Sequence, residues 1–317
     1  YCEEKNVSVR KLSTRPQLFV DFEDLDQQEN VTRQFHQVEK PFDYPVLKGE
    51  KPWEQYAGSC GGFIFDEEEK IYKVWYLGSL GCNEQTEHER HVLCYAISHD
   101  GIHWERPNLG LHEVLGSKEN NVVIPESHHK GMDHWESVIK DPFDPDPARR
   151  YKALGWSSFG ADLSPPCTGI YTATSPDGFV WQHSPEPVFW TKPRSGMNDL
   201  GPVGDAHGMM IDTLKERYIA FLRGGGGRMI SMSDDFVTWT QPETVLWHGH
   251  EEEILYNQVG FPYGDYYLGF LTHFDRHAQK HTCTVQLTMS RDGENWTRAP
   301  SAPIIPLGGV GEWDRFL

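Results

Sequence analysis

The chain has 317 residues, with 29 Lys and Arg against 47 Asp and Glu, a formal charge of −18 with His neutral. That balance lacks the clustered basic charge that neutralises phosphates, which excludes an electrostatic nucleic-acid binder, and no apolar run approaches the roughly 20 residues of a bilayer span. A hydrophobic share of 38% suffices for a buried core, and 13% aromatic residues beside 30 Gly and 21 Pro point to an all-β chain with many turns.

Residues 1–55 read as an N-terminal extension or outer strand. The first block, 56–107, places strands at 62–65, 71–76 and 91–97 around a polar turn at 66–70, and ends on Ser98-His-Asp100-Gly101-Ile-His-Trp104. The second block, 132–190, has strands at 136–139, 151–154 and 169–173, with a Pro-rich turn at 141–147, and carries Ser175-Pro-Asp177-Gly178-Phe-Val-Trp181. The third, 204–243, has strands at 208–211, 217–222 and 228–231 and carries Ser233-Asp-Asp235-Phe-Val-Thr-Trp239. The fourth, 254–300, has strands at 258–261, 266–271 and 283–287 and carries Ser290-Arg-Asp292-Gly293-Glu-Asn-Trp296. Residues 301–317, with Ile304-Ile305 and Glu312-Trp313-Asp314, read as the start of a fifth block that the sequence leaves unfinished.

One aromatic-marked phrase per block is the sign of propeller blades. In the phrase, Ser and Asp side chains bond backbone amides, Gly takes the positive-φ position, and Trp is expected to anchor the outgoing strand on its own blade. The fold class is therefore all-β, a five-bladed propeller with four clear blades.

These phrases resemble the five-bladed propeller glycoside hydrolases of the family 32 and family 43 clan, most closely a secreted bacterial family 32-like group. Further matching stretches are Leu18-Phe-Val-Asp21, Pro45 to Glu54, Tyr72-Lys-Val-Trp-Tyr76, Asn120-Asn-Val-Val-Ile124 and Lys140-Asp141-Pro142. The resemblance implies a carbohydrate substrate, an exported protein, cleavage of glycosidic bonds in oligo- or polysaccharides, no required cofactor, and a structural Ca²⁺ or a water as candidate occupants of the axial hole. The family 32 phrase Asn-Asp-Pro-Asn-Gly is missing from the first blade, and Asp141 reads mainly as a turn residue. A non-catalytic carbohydrate-binding propeller is the competing reading, because function lives in the site and not in the fold.

Glycosidic cleavage needs a carboxylic acid for the leaving oxygen and a second carboxylate as base or nucleophile. In a propeller such groups project from the starts of innermost strands. Glu136 and Asp205 are the leading pair, followed by Asp133 and Asp314. Trp53, Glu54, Trp135, Trp156, His207, Arg223, Arg228, Tyr256, Gln258 and His273 are the candidate substrate contacts, the indoles as sugar platforms and the arginines through hydroxyl or carboxylate groups. The run Arg223-Gly-Gly-Gly-Gly-Arg228 lacks the Gly-Lys-Ser/Thr ending of a phosphate loop and reads as a hairpin that lets backbone approach the axis. No metal-ligand spacing stands out among the six cysteines. Cys82 and Cys94 flank one loop and are a candidate pair in an exported protein, but buried free thiols, which Cys60 and Cys283 resemble inside strand-like runs, are the favoured reading. Oligomeric state is left open.

Overall fold

The computed structural model describes residues 13–18, 21, 27–82, 89–125, 134–157, 168–190, 205–224, 226–250, 253–275 and 282–315. Their regular structure is almost wholly β, because β-branched and aromatic runs are cut by Gly, Pro and Asp before any helical period develops. Blade one is β1 (Ala57–Asp66), β2 (Ile71–Cys82), β3 (Glu89–Ser98) and β4 (Val122–Ile124). Blade two is β5 (His134–Lys140), β6 (Tyr151–Ser157), β7 (Gly169–Ser175), β8 (Gln182–His183) and β9 (Phe189–Trp190). Blade three is β10 (Gly208–Asp212), β11 (Arg217–Gly224), β12 (Gly227–Ser233) and β13 (Glu243–Trp247). Blade four is β14 (Glu253–Tyr263), β15 (Tyr266–Asp275), β16 (Thr282–Ser290) and β17 (Trp296–Arg298). Each sheet is an antiparallel meander, and the innermost strands lie side by side, β1 against β5, β5 against β10 and β10 against β14. This is a propeller arrangement, with four blades among the described residues.

The fourth strand of every blade is broken in two. After the turn phrase, a short stretch pairs near the base of the third strand, as in the Ile97–Glu105 bridge, β8, the Thr240 N–Met232 O bond (2.9 Å) and β17. A second stretch then pairs higher up, as β4, β9 and β13. In blade four that second stretch is Ile305, which bridges Val285 on β16. The expected opening of a fifth blade at 301–317 is thus revised, since Ile304 and Ile305 complete the edge of blade four.

The turn phrase repeats atom for atom. Ser Oγ donates to Asp Oδ1 at 3.0 Å in all four copies, at Ser98, Ser175, Ser233 and Ser290. Gly101, Gly178 and Gly293 take φ of 76°, 82° and 78°, and in blade three Phe236 takes the same position at 62°. Phe236 tolerates this because its ring is buried against Tyr218 and Trp239. Three of the phrase tryptophans reach beyond their own blades: Trp181 meets Trp135 in the cluster shared by blades one and two, Trp239 meets Phe189 of blade two, and Trp296 meets Phe221 of blade three. Trp181, Trp239 and Trp296 therefore help seal seams between blades, which extends the expected anchoring role, while Trp104 packs within blade one against Phe63.

A polar bond repeats at the same seams. Asp66 receives the Tyr151 hydroxyl (3.5 Å), Asp141 that of Tyr218, and Asp212 that of Tyr267 (2.7 Å), each from the next blade. Burial pushes the Asp66 carboxyl up, but hydrogen bonds from Lys140 and Lys73 outweigh it and hold the group well below the usual carboxylate range. Asp141 is both a turn residue, accepting from Phe143 N, and a seam residue ion-paired to buried Lys152. Gly178 shows how tight a seam is: its carbonyl accepts from Trp75 Nε1 (2.8 Å) and Trp181 Nε1 (3.0 Å), and an added Cβ would stand 2.5 Å from the Trp75 ring. Gly178→Ala combines that clash with a positive φ, and a loss of about 2–4 kcal/mol is expected in urea unfolding.

The N-terminal segment ties blade four to blade one. Gln17 bonds Asp265, Asp21 pairs with Arg291, Lys40 pairs with Asp314, and Val38 N donates to Ile304 O (2.9 Å). Further along, Glu54 and Trp53 are built into blade one. Cys94 is a buried free thiol opposite Tyr76 in the ladder, whereas Cys82 lies opposite Glu89 on the neighbouring strand. Tyr76 and Cys82 are six residues apart on β2, roughly 20 Å of strand, so distance rules out a Cys82–Cys94 pair and Cys94 follows the favoured free-thiol reading.

Candidate active site

The inner strands β5 and β14 depart from regular pairing near their starts. The ladder skips Glu136 between Trp135 and Ser137 on β5, and skips Tyr256 between Leu255 and Asn257 on β14. A bulge of this kind re-aims one side chain without ending the strand. On blade three the equivalent place is Asp205-Ala206-His207, just before β10, where Ala206 has a φ of 76°. For a residue with a Cβ this backbone costs about 1–3 kcal/mol and persists only where its surroundings enforce it.

Those three irregularities meet. Glu136 Oε1 accepts from Ala206 N (2.6 Å) and Oε2 from His207 N (3.1 Å), so the strained turn wraps one carboxylate with two amides. Asp205 takes Arg223 Nη1 on Oδ1 (3.2 Å) and the Tyr256 hydroxyl on Oδ2 (3.1 Å), while the Arg223 guanidinium lies 5.1 Å from the centre of the Tyr256 ring. The Asp205 side chain is 41% exposed and Arg223 27%, which leaves this side of the cluster open to solvent. Burial is the main force lifting the Glu136 carboxyl well above the usual carboxylate range. The Asp205 charge adds to it, while the two amides and Arg228 oppose it. Two neighbouring carboxyls in unlike surroundings are the arrangement that separates an acid from a base.

Arg228 holds the frame. It is fully buried, and Nη1 donates to Ala206 O (2.9 Å) and Tyr256 O (3.0 Å) while Nη2 donates to Phe221 O (2.9 Å). One guanidinium thus fixes both the turn behind Asp205 and the bulge of Tyr256. Its expected role in touching substrate is corrected to a positioning one, because all its surface lies inside the protein. Arg228→Leu leaves three buried carbonyls short of a donor, and a stability loss of at least about 3 kcal/mol is expected by thermal or urea unfolding.

The other expected contacts are placed as follows. His207 is fully buried and its Nδ1 accepts from Arg223 N (3.2 Å), which supports the Asp205 turn from behind. Glu54 is buried under Tyr76 (2.5 Å) and Arg106 (3.0 Å), and Trp53 donates to Asn121 (2.8 Å) inside blade one. Trp135 is 2% exposed and belongs to the core shared by blades one and two. Gln258 is fully buried on β14. Glu54, Trp53, Trp135 and Gln258 are corrected from sugar contacts to packing residues and His207 to a supporting one, since burial leaves none of the five a face for a ligand. Trp156 is half-buried, opposite His134 in the ladder and packed on the core shared by blades two and three. His273 bonds Glu253 (2.8 Å), which also pairs with Arg298 (2.8 Å), a separate cluster on blade four. Asp314 is buried in its pair with Lys40, so it is no free acid. Asp133 lies outside the described residues. The Gly-rich run forms the hairpin between β11 and β12, away from the inner strands. Among the described residues no three His, Cys, Asp or Glu side chains converge as metal ligands.

No family model matches the sequence. Over 111 residues the chain is 33% identical to the protein Rv1502 of Mycobacterium tuberculosis, covering 35% of this chain and 29% of that protein. The chain therefore spans under a third of that relative's length in the match. Among solved structures, a glycoside hydrolase shares the fold with a TM-score of 0.59 at 15% identity, over 83% of this chain and 79% of that one. A family 130 structure, from a family of mannoside phosphorylases that contains glycoside hydrolases targeting β-1,2-mannosidic linkages in Candida mannan, gives 0.58 at 14% over 89% and 85%. The β-fructofuranosidase of Schwanniomyces occidentalis gives 0.54 at 14% over 81% and 48%. At these identities the likeness is one of fold: a propeller that glycoside hydrolases of several families share, broader than the family 32 and 43 clan alone. No helix among the described residues is long and apolar enough to cross a membrane.

Proposed function

We propose that this chain is a glycoside hydrolase acting on oligo- or polysaccharides, with Glu136 as general acid and Asp205 as the partner carboxylate. The supporting observation is the pair itself: one carboxyl lifted by burial and a second exposed, joined through the Ala206–His207 backbone. In the step proposed, the Glu136 proton passes to the glycosidic oxygen as its bond to the anomeric carbon breaks. Asp205 either takes the proton of the attacking water or attacks the anomeric carbon itself, and water then completes hydrolysis. Arg223 and Tyr256 orient Asp205 in both courses. The test is reducing-sugar release from yeast mannan, inulin and arabinan by the wild type and by Asp205→Ala. Release that the variant loses supports the reading, and binding of a glycan without release turns it toward a binding module.

The same proposal gives the ring five blade places. Its support is the pair of unmatched aromatic faces: Phe63 and Phe65 are 60% and 41% exposed on blade one, and Tyr263 and Phe270 are 45% and 38% exposed on blade four. Tyr72, opposite Ser98, stands where Tyr151, Tyr218 and Tyr267 stand opposite Ser175, Ser233 and Ser290, and none of the hydrogen bonds described reaches a seam carboxylate from it. Export and polysaccharide degradation belong to this proposal too, supported by the charge of −18 and the resemblance.

A further inference from the structure

Trp247 is 65% exposed, and apart from Trp313 in the C-terminal turn it is the one tryptophan more than a third exposed. Most of the others seal seams or blade cores, so this indole stands apart in being left in water at the end of an edge strand, and its place relative to the candidate site decides what it offers a ligand. Its position is set by the ladder. Arg223 faces Arg228, Gly224 faces Gly227, and Gly227 faces Trp247, so the indole sits at the same end of blade three as the Arg223–Asp205 pair. Two strand spacings separate β11 from β13, about 10 Å across the sheet.

Two local features turn this rim into a floor. The ladder skips Val245 between Arg228–Leu246 and Met229–Thr244, which shifts the register of the last residues of β13, and strand alternation then buries Leu246 and turns Trp247 out. The glycine hairpin lies low beside it: a Cβ on Gly227 would strike Leu246 O, and one on Gly226, with a φ of 84°, would meet nothing. Gly224, Gly226 and Gly227 thus keep side chains out of the path from Arg223 to the indole.

We infer that Trp247 is a distal carbohydrate platform, and that the chain binds a linear oligo- or polysaccharide running from Asp205 across the glycine hairpin of blade three. An indole face offers a sugar ring apolar C–H contact that needs no fixed hydroxyl pattern. This inference rests on reading Glu136 and Asp205 as the cleavage site, and the test separates the two. Migration of the wild type, Trp247→Ala and Trp247→Phe is followed in native gels cast with yeast mannan, inulin or arabinan, alongside sugar release. At least one polysaccharide is expected to retard the wild type. Trp247→Ala should raise its apparent Kd about tenfold, the scale of one stacked ring, and Trp247→Phe should recover most of it. Equal retardation of wild type and Trp247→Ala, or no retardation of the wild type by any of the three, overturns the platform. Retardation lost in Trp247→Ala from a wild type that releases no sugar leaves the platform standing and removes the hydrolase reading.

Discussion

Glu136→Gln is expected to lower kcat/KM by about 10²–10⁴-fold, the usual worth of a general acid, with little change in glycan binding. The same substitution is expected to change how stability depends on pH. Burial raises the Glu136 carboxyl in the folded state above its value in the unfolded chain. Its favourable contribution is therefore complete below the unfolded value, in the ordinary carboxylate range, and is lost as pH rises through the raised folded value. Glutamine does not titrate. Urea unfolding at a series of pH values should show the wild type losing ground against Glu136→Gln across that window, then running parallel to it. Parallel curves throughout would mean that Glu136 titrates normally and has no claim to the acid's role.

Asp205→Asn is expected to cost a similar factor of about 10²–10⁴, and the double variant should be little slower than either single one, because the two groups act in one step. A readout independent of turnover follows from their proximity. The Asp205 charge is one of the forces raising Glu136, and burial is the larger one. In Asp205→Asn the Glu136 carboxyl, followed by ¹³C NMR, should titrate lower than in the wild type and still above an ordinary glutamate. An unchanged titration would place the two carboxyls too far apart to share a substrate.

The blades were legible in the sequence because their signals are local. Each Ser-x-Asp turn is closed by atoms within six residues, so its spacing is preserved along the chain, and every strand expected in the four blocks exists. The broken outer strands were not legible: β8 and β9 have two residues each, too few for any periodicity, and exist because the third strand offers them a ladder. The same divide runs through the site. Glu136, Asp205, Arg223 and Tyr256 could be found because each lies at or near a strand end beside the axis. Glu54 and Asp314 look alike in sequence and are spoken for by partners far away, Arg106 52 residues on and Lys40 274 residues back. Arg228 carries the same lesson in reverse, since the carbonyls that claim it lie on β11, on β14 and just before β10, far apart in sequence from one another. Trp247 left no mark in the sequence, because which residues of a short edge strand face outward depends on its register, and the bulge at Val245 shifts that register.

The most direct test sets wild type and Glu136→Gln side by side on the mannan, inulin and arabinan panel, with released sugars resolved by anion-exchange chromatography and binding read in the same samples. The acid-pair account predicts release by the wild type from at least one polysaccharide, and binding without release by the variant. Release by Glu136→Gln at the wild-type rate would contradict it.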